Sequence, residues 1–143
     1  AIGAGISDGL GYGDNGKAAF ITRGIAEITR LGVAAGANPL TFAGLTGLGD
    51  LITTCYSHFS RNRYVGEQLA LGNSLEKILS SMQNVAEGVD TTVGALALAS
   101  KLNVDMPLTQ AIRTVLFEGV NPRDAVLELM NRAPRSEWLG IHD

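Results

Sequence analysis

The sequence predicts an all-α bundle of about six or seven helices, and three kinds of signal predict it. Apolar residues recur at a spacing of three and four through most of the chain, as a helix with one buried face requires. Helix-start signatures precede those runs at Asn38-Pro39, Ser60, Ser74, Pro107 and Asn121-Pro122. Glycines close several of them, at Gly36, Gly72 and Gly119, where a left-handed residue ends a helix at little steric cost.

Taken in order, the first 13 residues hold Gly3, Gly5, Gly9, Gly11 and Gly13, a density that calls for close backbone approach or unusual dihedrals. From Lys17 the residues Ile21, Ile25, Ile28, Gly32 and Ala35 mark the longest helix, with Asp14 or Asn15 as N-cap and Gly36 just past its end. Arg23 and Glu27 stand four apart on it, as an i,i+4 ion pair would. Asn38-Pro39 restarts the chain into a short helical piece, and Gly44, Gly47 and Gly49 frame a tight segment before Asp50. Leu51 to Cys55 fits a buried strand or a buried helical turn, and the helical neighbourhood favours the turn.

After a polar loop, Ser60 caps a helix through Val65 and Leu69 that ends near Gly72, and Ser74 opens another through Ile78 and Met82. Val85, Val89, Val93, Leu96, Ala97 and Ser100 trace a longer one, with Glu87 near its start. Pro107 begins a helix through Leu108, Ile112 and Val115 to Gly119, and Asn121-Pro122-Arg123-Asp124 begins the last. Residues 1–132 form the expected domain, and 133–143 an aperiodic tail with Trp138 as a docking point.

The 143 residues are 45% hydrophobic, enough for one compact core. Eleven basic and 14 acidic residues give a net charge of −3, so no global positive field gathers nucleic acid or anionic lipid, and any anion site is local. One cysteine, Cys55, excludes an internal disulfide and a multi-cysteine zinc site, and no apolar run reaches the length of a membrane span. A reducing cytoplasmic setting is the expectation. Ala1-Ile2-Gly3-Ala4-Gly5-Ile6 carries neither an initiator Met nor the charged start of a signal peptide, and reads as the middle of a longer polypeptide.

The strongest chemical signal is Ser57-His58-Phe59-Ser60-Arg61-Asn62-Arg63, which gathers hydroxyls, two guanidiniums and an amide at a helix start. Unpaired backbone N–H groups and the positive end of a helix dipole favour a phosphate there, and an arginine fork holds one through paired hydrogen bonds. A capping serine with solvated arginines is the plainer account of the same residues. Asp50, between Gly49 and an apolar run, is a costly place for a carboxylate without a partner. It reads either as a group orienting a catalytic lysine or substrate hydroxyl, or as a helix cap. Thr53 and Thr54 add hydroxyls that in an apolar stretch tend to bond their own backbone. Cys55 reads as a small buried hydrophobe, and neither His58 nor His142 completes a nucleophilic triad.

Gly5-Ile6-Ser7-Asp8-Gly9-Leu10-Gly11-Tyr12-Gly13-Asp14-Asn15, Lys17-Ala18-Ala19, Ile21-Thr22-Arg23-Gly24, Gly47-Leu48-Gly49-Asp50-Leu51-Ile52-Thr53-Thr54-Cys55 and Ser60-Arg61-Asn62-Arg63 follow one another in this order. Together they closely resemble the C-terminal domain of bacterial NAD(P)-dependent glycerol-3-phosphate dehydrogenases, from Ala1 to about residue 132. Gly16 departs from the alanine usual in that family.

The resemblance implies a helical domain of the type shared with 6-phosphogluconate dehydrogenase, closing over the nicotinamide of a preceding Rossmann domain. It implies interconversion of glycerol 3-phosphate and dihydroxyacetone phosphate with NAD or NADP, a supply of glycerol 3-phosphate for phospholipid synthesis, and a homodimer. The family's proton-transfer lysine lies in a Lys-Asn pair ahead of the position of Ala1, and Lys17 does not replace it. Carried over by position, Asp50 matches the substrate-site carboxylate, Thr54 stands with it in the substrate set, and Ser60, Arg61 and Asn62 match the substrate trio. Arg61, Val85 and Glu87 match cofactor contacts. The alternatives are the helical domain of a dehydrogenase of another hydroxy acid, and a non-catalytic helical interaction module.

Overall fold

The computed structural model describes residues 1–132, so the expected tail, with Trp138 and His142, lies outside the described residues. It is all-helical, as the periodicity predicts. Nine α-helices run through the described residues: α1 (Ile2–Gly9), α2 (Gly13–Ala34), α3 (Pro39–Ala43), α4 (Asp50–Tyr56), α5 (Arg61–Ala70), α6 (Leu75–Ser81), α7 (Gly88–Leu102), α8 (Pro107–Phe117) and α9 (Pro122–Asn131). A π-helical segment, Leu45–Gly49, leads into α4.

The count exceeds the expected six or seven because α1 and α4 carry little local signal. Gly3, Gly5 and Gly9 make α1 a poor helix by propensity, each glycine costing about 1 kcal/mol against alanine. What compensates is position: Ile2 to Ser7 are all buried. Ile2 and Ile6 enter one apolar cluster with Val65, Leu69, Ile78, Val89, Val115, Leu116 and Val126, contributed by α5 to α9. Ala4 enters a second with Ile21 of α2 and Cys55 of α4. The first helix is therefore the axle of the fold.

The glycines of α1 supply both features that their density predicted. A Cβ at Gly5 would lie 1.9 Å from the Arg63 carbonyl oxygen, and one at Gly66 would lie 1.9 Å from the Ile2 carbonyl oxygen. Neither helix tolerates a side chain there, so α1 and α5 run in parallel with their backbones touching through a reciprocal glycine pair. Gly11, in the turn from α1 to α2, and Gly13, the first residue of α2, take the left-handed conformation with φ of 72° and 69°.

The capping signatures hold at five starts. Ser60 Oγ accepts from Arg63 N, Ser74 Oγ from Lys77 N, Asn38 Oδ1 from Leu40 N and Asn121 Oδ1 from Arg123 N, while Pro107 occupies the first turn of α8. Gly36, Gly72 and Gly119 all have positive φ just past the ends of α2, α5 and α8.

Three expectations are corrected. The long helix begins at Gly13 after Tyr12, so Asp14 lies in its first turn and neither Asp14 nor Asn15 caps it. The helix expected from Val85 begins at Gly88, leaving Val85 in the preceding connection. Glu27 does not pair with Arg23. It is buried, and its carboxylate accepts from Leu108 N at 2.5 Å, Thr109 N at 3.0 Å and Thr109 Oγ1 at 2.7 Å. Met106, the residue before α8, offers no side-chain cap, so a carboxylate from α2 satisfies the free N–H groups at that helix end instead. Burial pushes the Glu27 carboxyl above the ordinary glutamate value, against the opposing pull of these hydrogen bonds.

Candidate functional site

The polar start of α5, the helix α4 and the residues just ahead of α7 meet beside a cleft of about 530 Å³. Ala1 to Ala4 of α1, Leu51 and Cys55 of α4, Asn62 of α5, and Gly88, Thr91 and Thr92 of α7 contribute to its wall. The side nearer α2, α3 and α8 is apolar, with Phe20, Ile28, Leu31, Phe42, Leu108 and Ile112.

Asp50 opens α4 and is exposed, and its carboxylate makes no hydrogen bond or ion pair among the described residues. The expected desolvation cost is thus absent. Leu51 and Cys55, four apart, share the face of α4 that lines the cleft, and Asp50 precedes that face. The π-helical turn ahead of it depends on Gly47, where a Cβ would fall 2.2 Å from the Phe42 carbonyl oxygen. As anticipated, both threonines spend their hydroxyl hydrogen on the backbone: Thr53 donates to Gly49 O at 3.0 Å and Thr54 to Asp50 O at 2.8 Å. Thr54 is then an acceptor towards any ligand.

At α5, Ser60 is the N-cap, and its oxygen accepts from Arg63 N at 3.2 Å while its own hydrogen stays available. Arg61 is exposed and makes no ion pair among the described residues. Asn62 reaches across to α7: its Oδ1 accepts from Gly88 N at 2.9 Å. This contact joins the expected substrate trio to the segment holding Val85 and Glu87, both exposed. Glu87 is the residue immediately before α7 and makes no side-chain cap. His58 and Phe59 are exposed, and Cys55 is buried as a small hydrophobe.

The second guanidinium of the expected anion trap is not available. Arg63 is only 7% exposed, and Nε and NH2 both lie 2.7 Å from Asp8 Oδ2, with Glu67 at 3.5 Å from NH1. Lys17, equally buried, reaches Asp8 Oδ1 at 2.7 Å and stands 4.6 Å over the ring of Tyr56. Sequence reasoning did not foresee this cluster, although Asp8, Lys17 and Arg63 stand in the motifs that carry the resemblance. It ties α1, α2 and α5 together and leaves Arg61 as the cation open to a ligand at this helix start.

Fold and site define an all-helical domain that presents a polar helix junction beside an apolar cleft. Residues 1–127 match the family model described as NAD-dependent glycerol-3-phosphate dehydrogenase C-terminus. A glycerol-3-phosphate dehydrogenase (NAD(P)+) of Chlorobium phaeobacteroides is 56% identical over 137 residues, 96% of this chain and 41% of that protein. One of Geobacillus kaustophilus is 60% identical over 137 residues, 96% of this chain and 40% of that protein. A crystal structure of glycerol-3-phosphate dehydrogenase from Coxiella burnetii superposes with a TM-score of 0.88 at 42% identity, over 92% of this chain and 40% of that one. The chain belongs to the family of NAD-dependent glycerol-3-phosphate dehydrogenase C-terminal domains. It spans about two fifths of the length of these curated relatives. Among the described residues, no helix is long and apolar enough to cross a membrane.

Proposed function

We propose that this chain is the substrate-binding domain of an enzyme that interconverts glycerol 3-phosphate and dihydroxyacetone phosphate with NAD or NADP, in the cytoplasm, as a homodimer, and supplies glycerol 3-phosphate for phospholipid synthesis. Residues 1–132 form that domain, and 133–143 follow it as a tail. The dinucleotide-binding Rossmann domain and the proton-transfer lysine are contributed by the part that precedes this domain in the longer relatives. The observation that carries the reading is the Asn62–Gly88 hydrogen bond. It ties Asn62, in the proposed substrate trio, to the start of α7 beside Val85 and Glu87, the proposed cofactor contacts, and so supports the reading.

In this reading Arg61 holds the substrate phosphate through charge-assisted hydrogen bonds, and Ser60 donates its hydroxyl hydrogen to a phosphate oxygen. Asn62 completes the trio, and Thr54 accepts from a substrate hydroxyl. Asp50 orients the lysine and the reacting hydroxyl; its exposure in this domain suits a carboxylate that meets its partners only when the two domains close. Arg61, Val85 and Glu87 are exposed beside the α5–α7 junction and fit contacts to a dinucleotide, which when bound supplies or accepts the hydride at the substrate's secondary carbon. Fixing the phosphate aligns that carbon, so its loss depresses turnover as well as affinity.

Arg61→Ala in the complete enzyme is expected to lower kcat/KM by at least about 2 kcal/mol in transition-state terms. Steady-state kinetics with dihydroxyacetone phosphate and NAD(P)H test it, and unchanged constants would remove Arg61 from the site.

A further inference from the structure

The Asn62 side chain meets the start of α7 at a position where any side chain in place of Gly88 would displace its amide. A Cβ built on Gly88 would lie 2.7 Å from Asn62 Oδ1, 2.9 Å from Cγ and 3.2 Å from Nδ2. The whole amide would be struck, by an atom fixed to a helix backbone. Gly88 has no positive φ that would call for glycine on conformational grounds. Its lack of a side chain therefore answers to Asn62 and not to the local backbone.

The contact also fixes which way the amide points. A backbone N–H can only donate, so the atom that meets Gly88 N must be the carbonyl oxygen of the Asn62 amide. Nδ2, with two N–H donors, has no partner among the described residues. It is not among the buried polar atoms left without a partner, and Asn62 lines the cleft. The open end of this residue is a donor.

Resting on the reading given under Proposed function, we propose that Gly88 is a positioning residue that sets the Asn62 amide so that its Nδ2 donates to an oxygen of the phosphorylated substrate. The assignment accounts for two features together: the missing side chain at the start of α7, and an amide whose acceptor is already used inside the protein. It also gives the junction a chemical polarity suited to an anion, since Arg61, Ser60 and Asn62 then all present hydrogen-bond donors.

The test is a double-mutant cycle in the complete enzyme with dihydroxyacetone phosphate as substrate. Gly88→Ala is expected to lower kcat/KM at least tenfold without lowering Tm. In the Asn62→Ala background, where the Cβ has no amide to strike, Gly88→Ala is expected to cost no more than a further twofold. Losses that multiply in the double variant, or an unaffected Gly88→Ala enzyme beside an impaired Asn62→Ala one, overturn the positioning role and leave the substrate site standing. An unaffected Asn62→Ala enzyme overturns the placement of Asn62 in the site, and this inference with it. Asn62→Asp is the second variant. Its carboxylate still accepts from Gly88 N, so Tm is expected to hold, but it offers no donor to the phosphate and kcat/KM is expected to fall at least a hundredfold. Retention of wild-type kcat/KM by that variant overturns the donor assignment.

Discussion

Replacing Gly66 with alanine would improve the helix propensity of α5 and yet should destabilise the protein. Alanine is worth up to about 1 kcal/mol over glycine within a helix, but a Cβ at this site would lie 1.9 Å from the Ile2 carbonyl oxygen and 2.9 Å from Ile6 N. A carbon and an oxygen in ordinary contact need about 3.3 Å, so α1 and α5 would have to separate by more than an ångström. The struck atoms are backbone, and α1 is buried along most of its length between the two apolar clusters, so neither helix has room to yield.

Overpacking of this kind costs about 1–3 kcal/mol. A gap of about an ångström around Ile2, Ile6, Val65 and Leu69 then forfeits about half of their dispersion attraction. After subtracting the propensity gain, a net loss of about 3 kcal/mol is the expectation. Gly94 is the control: it lies within α7, is exposed, and a Cβ there meets nothing within 4 Å. Gly94→Ala should therefore stabilise by about 0.5–1 kcal/mol, since only the propensity change operates. Urea denaturation of the two variants, followed by circular dichroism, reads the difference. A Gly66→Ala protein as stable as wild type, or shifts of the same sign in both, would refute the backbone-contact argument.

Asp8→Asn leaves Lys17 and Arg63 buried without their shared counter-charge and is expected to cost about 3–5 kcal/mol in the same assay, the range seen when one member of a buried ion pair is removed. Glu27 should make stability depend on pH. Its folded pKa lies above the unfolded one, so the native state binds that proton more tightly, and the contribution is fully present below the unfolded value and lost as pH rises through the raised one. Glu27→Gln should flatten that part of the stability-against-pH curve, and an unchanged slope would assign it to other groups. Ser74→Ala removes the bond to Lys77 N at the start of α6 and should cost about 1 kcal/mol by thermal denaturation, the usual value of an N-cap.

Periodicity and capping chemistry were enough for seven of the helices, because a surface helix writes its buried face and its ends into local sequence. Ser60, Ser74, Asn38 and Asn121 cap their helices with atoms two or three residues away, so a short window contains the whole interaction. The polar start of α5 was legible for the same reason. The glycine-dense opening was legible only as an anomaly. Its helix forms because Gly5 meets Arg63 and Gly66 meets Ile2, partners some sixty residues apart, which no local window holds.

The same distance in sequence separates what was foreseen at the site from what was not. The residue types that suit an anion were evident, but which guanidinium is open to one was settled by Asp8, 55 residues before Arg63. The burial first expected of Asp50 failed because its neighbours Leu51 and Cys55 take the inward face of α4. Glu27 caps a helix that begins 80 residues later, and Asn62 is held by Gly88 from another element. Sequence alone thus determined the helices that carry their own signals, and through its ordered motifs the family. Tertiary structure decided which charges are neutralised inside and which remain free at the cleft, because that depends on desolvation and on partners that only folding brings together.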